Sequence, residues 1–129
     1  MGYRGDLAMT DGCYKGKVAL FAFNGDPMCF AHVLINALDM KEKNYDVRVI
    51  IEGSATKLVA TLADPEKPFA SLYEKVKAAC LIDCVCRACS AKMGFLKSAE
   101  VQGLPICDEL LGHPSIARYM DAGYTVLTF

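Results

Sequence analysis

The chain has no apolar run long enough to cross a bilayer. The longest, Val18 to Phe23, stops at Asn24-Gly25-Asp26-Pro27, whereas a spanning helix needs about 20 residues. No basic run is present either: 14 Lys and Arg stand against 15 Asp and Glu, a formal charge of −1 with a pI near 6.1. That balance argues against direct nucleic-acid binding, which needs a basic track along the phosphates. The N-terminal MGYRGDLAMTDGCYKGK lacks the apolar h-region of a secretory signal. Asp6 stands where N-myristoylation calls for Ser or Thr. Without an export signal, Arg4-Gly5-Asp6 reads as solvated tail rather than an adhesion motif, and the expected location is cytoplasmic. An even cysteine count is missing too. Seven cysteines in such a chain predict free, liganded or catalytic thiols, not a disulfide framework.

What is present is apolar: 53% of the 129 residues are hydrophobic and mean hydropathy is +0.24. For a single domain that implies strands buried on both faces, or a buried subunit contact. At this length folding buries roughly two-thirds of the unfolded surface, so no staple is required.

Residues 1–16 read as a tail and 17–129 as one domain. KVALFAF, Lys17 to Phe23, is a short apolar run bounded by glycines, the pattern of a buried strand. Asp26-Pro27 supplies a cap and a first-position proline, and Phe30, Val33, Leu34, Ala37 and Leu38 then line one helical face as far as about Asn44. Tyr45 to Gly53 is a second strand, rich in β-branched residues. Helical pieces over 55–63 and 69–79 are parted by DPEKP, whose prolines forbid one continuous helix. Phe69, Leu72, Tyr73 and Val76 give the second piece its buried stripe.

Leu81 to Cys86 is the third strand, with Asp83 an awkward member. Arg87 to Met93 is a helix closed by Gly94. A short helix near 98–102 leads to LPI, a fourth strand that Pro105 confines to an end or edge position. A last helix from about Pro114, with Ile116, Tyr119 and Met120 on its stripe, precedes the final strand YTVLTF. Strand and helix alternate throughout. The expected fold is therefore α/β, a three-layer α/β/α sandwich with a mostly parallel sheet of about five strands. Chemistry in such folds collects at the carboxyl ends of the strands: here Asn24 to Asp26, Glu52 to Ser54, Cys86, and Cys107-Asp108.

Cys80, Cys84, Cys86 and Cys89 lie within ten positions. Cys86 falls at the junction of strand and helix, where orphan N–H groups favour an anion. A shift of its pKa from about 8.5 to about 7, roughly 2 kcal/mol, is within reach of that position with Arg87 beside it. Cys89 lies one turn on and Cys84 two residues back, as conditional partners. A zinc reading draws on Cys84, Cys86 and Cys89 with Cys80, Cys107 or His113 as fourth ligand, but only one C-x-x-C knuckle is present where structural zinc usually takes two. Cys13, Cys29, Cys80 and Cys107 read as small hydrophobic fillers. His113 is placed to cap the last helix, with a catalytic base as the other reading, and His32 reads as a surface residue. Glu52 is placed to accept a proton. Asn24 and Asp26 belong to a tight turn that lacks the glycine-rich fingerprint of a nucleotide site. No motif calls for a cofactor.

Taken together, KVALFAFNGDP, VRVIIEG, LIDCVCRACSAKMG and GHPSIARYMDAGYTVLTF resemble the DsrE/DsrF-like family of small sulfur-relay-type proteins. The resemblance implies a parallel five-stranded sheet, homo-oligomers such as trimers or hexamers, and a cysteine that carries a persulfide between donor and acceptor proteins. By position Cys86 is that cysteine, flanked by Cys84 and Cys89. A cysteine-liganded metal module and a non-catalytic oligomeric regulatory module are the competing expectations.

Overall fold

The computed structural model describes residues 14–129; Arg4-Gly5-Asp6 and Cys13 lie outside the described residues. Five parallel strands form one sheet: β1 (Lys17–Ala22), β2 (Asp46–Ile51), β3 (Ile82–Cys86), β4 (Ile106–Cys107) and β5 (Thr125–Thr128), in the order β4-β3-β2-β1-β5. Helices α1 (Pro27–Glu42), α2 (Lys57–Thr61), α3 (Ala70–Ala78), α4 (Arg87–Met93), α5 (Leu96–Val101) and α6 (Ile116–Asp121) fill the connections, with a 3₁₀ turn over Gly53–Thr56.

The strand order dictates the layers. From β1 to β4 each step moves the chain one strand in the same direction, so right-handed crossovers put their helices on one face. The larger core lies there: Leu20, Val49, Ile51 and Val85 of the sheet meet Phe30, Val33 and Leu34 of α1, Leu58 of α2, Tyr73 and Val76 of α3, and Ala99 of α5. Each of the valine, leucine, isoleucine and phenylalanine side chains among them, fully buried, contributes about 1.5–3 kcal/mol. The step from β4 to β5 runs the other way, to the far edge, and carries α6 to the opposite face. Here the layer is thin: Ala19, Phe21, Ile50, Cys84 and Cys107 pack with Tyr119 and Tyr124, and with Tyr14 from the segment before β1.

The expected stripe of α1 is buried, with Leu38 at its half-buried margin. That of α6 is not: only Tyr119 is buried, while Ile116 and Met120 are exposed, because a six-residue helix on an outer layer has one turn to bury. Burial of strands on both faces holds for β2 and β3 and fails for β5, whose residues are exposed or half-buried at the sheet edge. Pro105 precedes β4 at the other edge, where it interrupts no ladder.

Asp83 is accommodated by a register shift. Val49 pairs with Ile82 and Ile50 with Cys84, leaving Asp83 as the extra residue of a bulge. Its carboxylate accepts from Arg48 Nη1 at 3.1 Å and from the Tyr119 hydroxyl. Tyr124 donates to Asp46 Oδ2 at 2.6 Å, and Asp46 Oδ1 lies 3.8 Å from Arg48 Nε. A buried cation between two carboxylates thus holds the second face.

Candidate functional site

Three chain segments converge at the carboxyl edge of the sheet. The first is the end of β2, where Glu52 donates its N–H to Ala22 and Gly53 turns the chain at φ +55 into the 3₁₀ turn. The second is the junction of β3 and α4. Cys86 is extended (φ −64, ψ 123) and caps α4, its sulfur accepting from Cys89 N–H at 3.4 Å. One turn further, Cys89 presents its own thiol.

The third segment is the loop after β4. Because β5 lies at the far edge, this chain passes the carboxyl ends of the strands before reaching α6. Leu110 and His113 bridge each other with two 2.8 Å hydrogen bonds across Leu111 and Gly112, both at positive φ. Gly112 accepts from Ala88 N–H at 2.9 Å, and a Cβ at Gly112 would stand 3.0 Å from that of Ala88. Glycine therefore lets the loop lie against α4. His113 Nδ1 is thereby set 3.1 Å from Cys86 Sγ and 3.6 Å from Cys89 Sγ. One ligand-type atom each from Glu52, Cys86, Cys89 and His113 falls within 4.8 Å of the others.

The expectation of an acidic Cys86 thiol is overturned. Burial pushes it up to about 12, assisted by the Cys89 thiol and the Glu52 carboxylate, and against the Cys89 N–H that favours the thiolate. A cap of a seven-residue helix does not offset full burial. Arg87 is engaged elsewhere, its Nε 3.4 Å from Asp108. Burial and the charge of Glu109 also raise Glu52, to about 7. The Cys86 thiol therefore rests protonated, and the Glu52 carboxyl gives up its proton only near neutrality.

Other expected residues fall differently. Cys84 is joined to Cys107 by a disulfide, so neither is a free partner of Cys86 nor a filler, and the expectation of free thiols throughout is corrected. The two cysteines sit on adjacent parallel strands at the sheet edge, where Cα atoms 5.6 Å apart meet the geometric requirement. Cys80 is exposed and Cys29 half-buried; neither is a core filler. The zinc set built on Cys84 is thus not assembled. Asn24 and Asp26 serve the turn: Asn24 Oδ1 accepts from Asp26 N–H at 2.8 Å, and Asp26 Oδ2 from Cys29 N–H at 3.3 Å. His113 does not cap α6. Ser115 does, accepting from Arg118 N–H at 3.3 Å, while its own N–H donates to Glu109 at 3.0 Å. His32 is exposed, as expected. Sequence reading named His113 beside Cys86 only as one of three fourth ligands for zinc, or as a catalytic base; their direct contact depends on strand order, and Gly112 before the histidine is the local signal of a loop pressed on its neighbour.

An uncharacterized protein of Methanocaldococcus jannaschii is 35% identical over 97 residues, covering 74% of this chain and 76% of its own. An uncharacterized protein of Archaeoglobus fulgidus is 57% identical over 37 residues, 29% of this chain and all of its own, and another from the same organism is 38% identical over 48 residues, 37% and 79%. No solved structure matches. Residues 17–129 match the DsrE/DsrF-like family, and with a parallel five-stranded sheet over the same span the chain belongs to that family.

Proposed function

We propose that this protein is a sulfur-relay carrier that holds sulfane sulfur as a persulfide on Cys86. Family membership supports a sulfur-relay role in general terms. The observation that carries the specific reading is the 3.1 Å contact between Cys86 Sγ and His113 Nδ1. A thiol that burial keeps protonated needs a base in contact with it, and an imidazole with its proton on Nε2 is such a base.

The transfer balances as thiol exchange. Cys86 gives its proton to His113, and the thiolate attacks the outer sulfur of a donor persulfide R–S–SH. The donor's S–S bond breaks, R–S⁻ leaves and is protonated, and Cys86 holds S–SH. An acceptor thiolate then attacks that outer sulfur and returns Cys86 to the thiolate. Cys89 and His113, half-buried at the rim, flank the approach, and Cys89 is the partner thiol able to accept sulfur in turn. Donor and acceptor are proteins in this reading, and the carrier works as a cytoplasmic homo-oligomer. Apolar side chains left exposed at Met28, Val101, Leu111 and Met120 are consistent with such contacts. Among the described residues no helix is long and apolar enough to cross a membrane.

The test is incubation of the reduced protein with a persulfide donor, followed by intact mass and peptide mapping. One added sulfur is expected on Cys86 and none in Cys86→Ser. His113→Gln is expected to slow uptake about 100-fold, the lower range for loss of a general base. In His113→Gln, where no base touches the thiol, the residual uptake should climb steadily from neutral to alkaline pH, since it then depends on direct ionisation of a thiol that burial holds up to about 12. Sulfur found only on Cys29, Cys80 or Cys89, or on none, overturns the assignment.

A further inference from the structure

The same convergence has a second chemistry. We propose that Glu52, Cys86, Cys89 and His113 form a zinc site, occupied when both thiols are reduced and free of sulfur. The set is two thiolates, one imidazole and one carboxylate, the borderline-soft mixture that suits zinc among the common divalent ions. It differs from the set suggested by the cysteine spacing, because Cys84 and Cys107 are withdrawn into a disulfide and Glu52, remote in sequence, comes from the end of the neighbouring strand β2.

Geometry supports it. With zinc–sulfur bonds of about 2.3 Å and zinc–nitrogen bonds of about 2.0 Å, a tetrahedral site sets sulfur and nitrogen about 3.5 Å apart. The two sulfur-to-Nδ1 distances here are 3.1 and 3.6 Å. All four donor atoms already lie within 4.8 Å of one another. Closing on an ion therefore needs side-chain adjustment on the order of 1 Å at the widest pair. Three of the four donors come from positions held by local hydrogen bonds: Glu52 N–H to Ala22, Cys86 at the cap of α4, and His113 in its bridge to Leu110. Cys86 and Cys89 have the C-x-x-C spacing that gives two thiolates to one ion.

On binding, two S–H bonds are lost and two zinc–sulfur bonds form, and the thiol protons, with the proton of any Glu52 carboxyl still protonated, pass to solvent. Four protein donors leave no open coordination position, so the bound ion is a cap on the thiols rather than a catalyst. Zinc and sulfane sulfur would then compete for Cys86. Only that competition rests on the relay reading; the site itself does not.

Cobalt(II) is the probe, added to reduced, chelator-free full-length protein under anaerobic conditions. The expected result is one equivalent bound, with the visible bands of a tetrahedral ion and thiolate-to-cobalt charge transfer, displaced by one equivalent of zinc. Glu52→Gln and His113→Gln should each weaken binding at least about tenfold, a loss that even outer partners of metal ligands produce. The doubly substituted Cys84→Ser/Cys107→Ser protein should bind as wild type does. Circular dichroism of each metal-free variant separates lost ligation from lost folding, and a zinc-dependent rise in the wild-type Tm gives a readout without substitution. Absence of a tetrahedral spectrum together with an unchanged Tm overturns the site. So does a spectrum that survives in both folded variants, Glu52→Gln and His113→Gln. Cobalt binding without sulfur uptake at Cys86 removes the relay alone, and sulfur uptake without cobalt binding removes the zinc site alone.

Discussion

A single carboxyl illustrates how this site differs from its sequence. Glu52 ends β2, and carboxylates ending strands are common; only the fold shows it buried with two thiols and an imidazole. Burial first, and Glu109 second, raise it from 4.5 to about 7. A carboxyl raised on folding binds its proton more tightly in the native state, so the native state holds more protons than the unfolded chain between those values. Its contribution to stability is complete below pH 4.5 and is lost as pH rises toward 7, by at most about 3 kcal/mol. Glu52→Gln keeps the shape and removes the titration. The difference in Tm between variant and wild type, measured from pH 4 to 8, should therefore move in the variant's favour as pH rises. Parallel profiles would show that Glu52 is no more buried in solution than in the unfolded chain. The capping position of Cys86 was legible from the junction of apolar run and helix, but its ionisation was not. Local sequence reports the N–H groups around a thiol, whereas desolvation comes from segments 26 or 27 residues away, at Gly112 and His113.

At the scale of elements the sequence is far more explicit, because starts and stops are local chemistry. Asp26-Pro27 opens α1 as its side-chain oxygen suggests, and α4 runs over the expected Arg87–Met93. The stops share one device: α1, α3, α4, α5 and α6 each end on a left-handed residue whose N–H, with the next one, returns to the last turn. Asn44, Gly94, Gly103 and Gly123 suit that conformation. Cys80, at φ 59 and exposed, does not, which explains why its role was misread as core filling. This predicts opposite effects at two equivalent positions. Cys80→Gly should raise stability by up to about 1 kcal/mol, the side-chain penalty of the left-handed region less the added freedom of the unfolded chain. Gly94→Ala should lower it by about 1 kcal/mol, since nothing lies within 4 Å of the added Cβ and conformation alone is charged. Urea titrations of both variants check the pair. Equal signs would mean that contacts, not backbone conformation, decide these helix ends.

For the whole molecule, alternation of strands and helices made the parallel sheet legible, since each parallel step needs a crossover. Strand order was not legible, and with it went the thin second face, the neighbours of Cys84 and the position of His113. That face also holds the least hydrophobic part of the interior. Arg48 lies between Asp46 and Asp83, all at most 4% exposed, with Tyr119 and Tyr124 donating to the two carboxylates. The group ties β2 to β3 and both to the chain that carries α6. Removing the cation alone strands two carboxylates in the interior, so Arg48→Met should cost about 3–5 kcal/mol. Replacing the whole set, Arg48→Met with Asp46→Asn and Asp83→Asn, removes the charges as well, and most of that loss should be regained. An exposed ion pair would behave otherwise, costing no more than about 1 kcal/mol for the single change and gaining nothing from the others. Urea unfolding followed by far-ultraviolet dichroism distinguishes the two. A small loss for Arg48→Met would mean that apolar packing of Phe21, Ile50 and the tyrosines, rather than the buried charges, fastens the second face to the sheet.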